Sequence, residues 1–101
     1  ELPQAFVCAN DYLAIRLMRA LSVLSAAVPG KIMVSGFDNS NESQFISPAL
    51  TTVRIPGNKM GTIAADLLLS RINDRTLPFR ITYVETEVIL RASTTKPEIT
   101  D

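Results

Sequence analysis

The chain has 101 residues, 47% apolar and 20% charged, with Lys+Arg and Asp+Glu balanced at 10 each. This is the composition of a single globular domain, or part of one, rather than of a disordered segment. The zero net charge removes any electrostatic case for gripping DNA, RNA or an anionic membrane through this segment.

A single cysteine, Cys8, excludes an internal disulfide framework and is compatible with a reducing cytoplasm. No apolar run approaches the length of a membrane span, no signal peptide is visible, and the missing initial methionine is what a fragment would show.

Ala5 to Ala9 reads as a buried strand leading into Asn10-Asp11, and a helical pattern follows from about Tyr12 to Ala26. Ala14, Leu17, Leu21 and Leu24 form one apolar stripe at helical spacing, with Ile15 and Met18 beside it, next to Arg19. A helix that is apolar on more than one side covers a sheet and also meets something else. Val28-Pro29-Gly30 turns the chain into a second strand, Ile32 to Phe37, which leads into Asp38-Asn39.

Both strands are apolar throughout rather than alternating, as expected where helices cover both faces of a parallel sheet. Ligands of such sheets bind beyond the carboxyl ends of the strands, where Asn10, Asp11 and Asp38 fall. The competing role for these residues is helix capping.

The polar stretch from Asn39 leads to a short helix carrying Phe45 and Ile46, ended by Ser47-Pro48. These two apolar residues in a wet loop are contact candidates. Leu50 to Ile55 is extended, and Pro56 suits the first turn of a third helix running to about Asn73. Its apolar positions include Met60, Ile63, Leu67, Leu68 and Ile72, and Gly61 would allow a close backbone neighbour. Residues 81–90 alternate like an edge strand, and the tail over 96–101 is expected to be flexible.

Catalytic chemistry finds little support. Histidine is absent, Cys8 lies in a predicted buried strand, and no glycine-rich phosphate loop is present. Asp11 and Asp38 could coordinate Mg²⁺ in a phosphoryl-transfer site, but no lysine or threonine stands in a matching position. The expectation is a non-enzyme with no catalytic residues, cofactor or metal.

Several blocks in order resemble LacI/GalR-type bacterial transcriptional regulators. Cys8-Ala9-Asn10-Asp11 with Met18-Arg19-Ala20-Leu21 resembles the "ANDxxAxGxxRAL" segment, and Val28 to Asp38 resembles "VPxDxxVxGFDD". Pro48 to Arg54 resembles "PPLTTVRQ", Met60 to Leu68 resembles "MGxxAxxLLL", and Glu87 to Thr94 resembles "ELVxRxST". The match covers about residues 5–95.

The resemblance implies an α/β fold, a mostly parallel sheet flanked by helices, as part of a periplasmic-binding-protein-like (type I) architecture. It implies that 1–95 is the carboxy-terminal part of an effector-binding and dimerisation domain. Within it, 55–79 would be a helix crossing to the other subdomain and returning near Pro78–Arg80. Asn10 and Asp38 match positions that hydrogen-bond an effector, a sugar or related small metabolite. Asp11 beside them is expected chiefly to cap the helix. Ile55 stands near the cleft where many members have glutamine, Asn39 replaces the second aspartate of "GFDD", and Arg16 replaces a small residue. Ile15, Met18, Arg19, Phe45, Ile46 and Pro48 match a homodimer surface. DNA would be bound only through a helix-turn-helix domain outside this chain, in the cytoplasm and without membrane contact. The rival expectations are a fragment of a periplasmic sugar-binding protein and a Mg²⁺-dependent phosphoryl-transfer enzyme.

Overall fold

The computed structural model describes residues 1–95 and divides into two compact units, one of Glu1–Arg54 with the segment from Glu87, the other of Ile55–Thr86. In the first unit, β1 (Ala5–Val7) and β2 (Met33–Ser35) pair in parallel, with Phe6 opposite Val34. Parallel neighbours need a crossover, supplied by α1 (Asp11–Val23). Ser35 also bridges in parallel to Thr51, on the edge of β2 away from β1, and leads to β3 (Thr52–Arg54). β3 pairs antiparallel with β4 (Glu87–Ile89), and the opposed residues Arg54 and Glu87 form an exposed ion pair. The fold is thus α/β, with parallel strands at its centre.

Asn10, in extended backbone, caps α1 by accepting the Leu13 N–H at 2.9 Å on its Oδ1. The buried stripe of α1 is Asp11, Ala14, Ile15, Met18 and Leu21. It packs on Ile32, Val34 and Leu50, with Phe6, Cys8 and Leu17 at the margin. Burial of each large aliphatic side chain contributes about 1.5–3 kcal/mol. The stripe is rotated from the expected one: Ile15 and Met18 lie within it, whereas Leu24, at the C-cap, is exposed. The polar stretch forms α2 (Asn41–Phe45), capped by Ser40, and a 3₁₀ turn spans Ala92–Thr94.

The strand expected over 81–90 is only Glu87–Ile89. A strand needs a ladder partner, and β3 offers three rungs, so 81–86 stay irregular, with Ile81 and Tyr83 exposed.

The second unit is built on α3 (Gly57–Asn73), which begins after Pro56 as the fixed φ of proline favours. No residue of α3 is buried, and Leu68, Leu69 and Ile72 are exposed. Gly61 meets no close neighbour: a β-carbon there would have nothing within 4 Å. After the helix, the Asp74 carboxylate accepts the Thr76 hydroxyl and N–H, which hold it below the usual carboxylate range. Arg71 lies over the Phe79 ring, 4.2 Å from its centroid. The tail at 96–101 lies outside the described residues.

Candidate functional site

The loops leaving β1 and β2 are joined by a hydrogen bond from Asp11 N to the Phe37 carbonyl (3.0 Å), continuing the ladder beyond Cys8 N to Ser35 O (2.9 Å). Asn10 precedes the first partner of that bond and Asp38 follows the second, so the two stand at adjacent carboxyl ends of parallel strands. Burial pushes the thiol of Cys8, at the foot of this loop, above its ordinary range.

The Asp38 loop is held at three successive backbone N–H groups. Asp38 N donates to Val53 O (3.0 Å), Asn39 N to Thr52 Oγ1 (3.1 Å), and Ser40 N to Asp11 Oδ2 (2.7 Å). Thr52 Oγ1 in turn donates to Asp11 Oδ1 at 2.6 Å. Within this frame Asp38 has φ 115° and Asn39 φ 51°, both in the left-handed half of conformational space that favours glycine. Asp38 is exposed, and its carboxylate meets no donor among the described residues. The Asp38 carboxylate is thus free of protein donors among the described residues, on a loop fixed by three backbone hydrogen bonds.

Asp11 has a different place from the one expected. It is 2% exposed and both oxygens are occupied by protein donors, so it offers no surface to a ligand. Nor is it the cap: that role falls to Asn10, whose Oδ1 faces the first turn and whose amide NH₂ remains available. Ile55 follows β3 directly and begins the second unit, half-buried.

Sequence reasoning passed over Arg91 and Ser93. Arg91 reaches Asn39 Oδ1 (2.7 Å), Ser43 Oγ (2.7 Å) and the Leu50 carbonyl (3.1 Å). Ser93 Oγ, fully buried, accepts Thr51 N (2.8 Å) and donates to Val34 O (2.6 Å), tying β2 to the residue just before β3. Their signal was the Arg91-Ala92-Ser93-Thr94 block, which carries an arginine and hydroxyls in a short apolar context.

A second feature lies along α1, where its buried stripe meets its exposed flank. Ile15, Met18, Arg19, Ile46 and Pro48 line one groove of about 420 Å³ with Ser22, Ala26 and Val28. Phe45, the sixth residue expected there, is 83% exposed beside Ile46. At the rim, Arg19 pairs with Glu42 at 3.1 Å, an exposed contact worth about 0–1 kcal/mol.

Among the described residues no group of three or more His, Cys, Asp or Glu side chains could hold a metal ion, and no helix is long and apolar enough to cross a membrane.

Comparison with known proteins bears on family and fold. Residues 1–94 match the family of periplasmic binding protein-like domains. The lactose operon repressor of Rhizobium radiobacter is 43% identical over 95 residues, 94% of this chain and 83% of that protein. The HTH-type transcriptional repressor PurR of Histophilus somni (strain 2336) is 36% identical over 93 residues, covering 92% of this chain, which spans 28% of that relative's length. The crystal structure of a LacI family transcriptional regulator from Enterococcus faecium with bound ribose superposes with a TM-score of 0.79 at 29% identity. That match covers 93% of this chain and 35% of the other. The relatives are repressors, not enzymes, and the phosphoryl-transfer alternative falls with that finding. The chain belongs to the LacI/GalR family of bacterial transcriptional regulators, within whose periplasmic-binding-protein-like domain its residues fall.

Proposed function

We propose that this chain forms part of the ligand-sensing and dimerisation region of a cytoplasmic transcriptional regulator. Its effector is a sugar or similar hydroxylated metabolite, and operator DNA is bound by a separate helix-turn-helix domain. The carrying observation is the Asp38 carboxylate, exposed and without a protein donor, on a loop fixed at three consecutive N–H groups. An ionised carboxylate can accept two adjacent hydroxyls in one directional contact, and the Asn10 amide can donate to another oxygen. Ribose bound by the Enterococcus faecium regulator supports this effector class. Asp11 contributes by holding Ser40 and Thr52 rather than by touching ligand, and Ile55 would offer an apolar contact.

The groove on α1, together with the exposed Phe45 next in the chain to Ile46, supports self-association of two copies. One patch carrying both a protruding aromatic side chain and an apolar trough suits a two-fold contact. The helix α3 and the extended residues after it would cover the other subdomain, consistent with the bare apolar positions on α3.

A thermal-shift screen of pentoses, disaccharides, nucleosides and purines against the full-length protein tests the effector reading. A ligand at 100 times its Kd stabilises the fold by about 2.7 kcal/mol. The expected result is a sugar-dependent rise in Tm that Asp38→Asn abolishes. A rise that survives Asp38→Asn would move the site elsewhere.

A further inference from the structure

We infer that Arg91 is the positioning residue that sets the direction of the Asp38 carboxylate. Two consecutive non-glycine residues at positive φ do not hold that conformation by themselves, because the β-carbon crowds the neighbouring backbone. The three backbone N–H bonds hold the inner edge of the loop, where it faces Asp11 and β3. One side-chain contact also holds Asn39: its Oδ1 accepts Arg91 Nη2 at 2.7 Å. The guanidinium is itself held by other acceptors. Its Nη1 donates to Ser43 Oγ and the Leu50 carbonyl, and the Arg91 backbone N–H donates to Thr51 Oγ1 at 2.8 Å.

Arg91 forms no ion pair among the described residues, so its charge is met there by neutral acceptors. A planar fork with donors on separate nitrogens can bridge Asn39 to Ser43 and Leu50 at once. A lysine ammonium on a flexible stem cannot reproduce that geometry. Arg91 thus ties the left-handed pair to α2 and to Leu50–Thr51, just before β3, and the carboxylate next to Asn39 takes its aim from the tie. This rests on Asp38 being the effector-facing carboxylate.

The test reads φ directly with no effector present. In the full-length protein, labelled at aspartate, asparagine and serine, backbone scalar couplings and ¹³Cα shifts report φ at Asp38 and Asn39. Ser25, at φ 57° beyond the end of α1, is an internal control for general loosening. Arg91→Lys and Arg91→Gln are expected to lose the positive-φ signature at Asp38 and Asn39 while Ser25 keeps its own. Asn39→Asp, which retains the acceptor, keeps all three. Should the arginine variants not fold, Asn39→Ser breaks the contact from the loop side and is expected to lose the signature at Asp38. A folded Arg91→Gln variant with both signatures intact overturns the inference, as does parallel loss at Ser25 or an intact Asp38 signature in Asn39→Ser. Because no effector is used, such a failure leaves the sugar-sensing reading standing. A failed ligand screen, conversely, leaves the coupling result unaffected.

Discussion

A β-carbon placed on Gly36 would stand 3.1 Å from the Cα of Asp11, against its carboxylate, and 3.0 Å from Leu50 Cδ2. The glycine is needed for space rather than for backbone freedom, since no glycine in the described chain has positive φ. Its missing side chain lets the amino end of α1 approach the end of β2 closely enough for Asp11 to reach Ser40. Gly36→Ala is therefore expected to destabilise the first unit by about 1–3 kcal/mol, the usual cost of forcing one extra carbon into a packed site. Urea denaturation followed by far-UV circular dichroism reads the shift in midpoint. An unchanged midpoint would mean that the α1 terminus can yield.

The same contact makes Asp11 a structural residue of the site. Asp11→Ala leaves the Ser40 N–H and the Thr52 hydroxyl without their acceptor, and a buried donor stripped of its partner costs about 1–3 kcal/mol. Asp11→Asn can keep its oxygen on the Ser40 N–H and turn its NH₂ to the Thr52 hydroxyl, which accepts as well as donates, so it should cost less than the alanine variant. Chemical denaturation of the two variants orders them. Equal losses would show that Thr52 or Ser40 finds a substitute partner.

The parts of the fold that are local in sequence were legible in it. Asn10 before an apolar-periodic segment, Pro56 before α3, and the polar run into α2 each carry their signal within a few residues. The misjudged parts depend on distant partners. The alternating pattern at 81–90 is genuine, but pairing is limited by the short β3, a fact no local pattern contains. Arg91 escaped notice because Asn39, Ser43 and Leu50 are each 41 or more positions away in the chain. Asp38 was singled out as chemistry, yet its positive φ was invisible because the residue there is not glycine. The sequence offers Asp11 chiefly as a helix cap beside the contact candidate Asn10. One step along the helix turns it inward instead, onto the buried stripe with Ala14 and Ile15.

Ile15, which lines the groove, and Phe45, the chain neighbour of the groove residue Ile46, should respond to mutation in opposite ways. Ile15 is 5% exposed and belongs to the core, so Ile15→Ala is expected to cost about 2–5 kcal/mol in folding stability. Phe45, at the end of α2, contributes little to that core, and Phe45→Ala should leave the thermal midpoint nearly unchanged while weakening self-association. Sedimentation velocity across a concentration series separates the two effects. If Phe45→Ala leaves the sedimentation profile intact, the groove on α1 is not the surface through which copies meet.

The last prediction sets stability against function at Asp38. With φ at 115°, a residue bearing a β-carbon is strained, and such strain costs about 1–3 kcal/mol. Asp38→Gly relieves the strain and deletes the carboxylate, whereas Asp38→Ala deletes the carboxylate and keeps the β-carbon. The difference in unfolding free energy between these variants isolates the backbone term, and the glycine variant is expected to be the more stable by about 1 kcal/mol. It should also exceed the unmodified protein, because the Asp38 side chain makes no hydrogen bond among the described residues that would be lost. Both variants are expected to abolish the sugar-dependent rise in Tm. A glycine variant no more stable than the alanine variant would show that the pinned N–H groups carry the left-handed turn without strain. The aspartate would then be retained for its carboxylate alone.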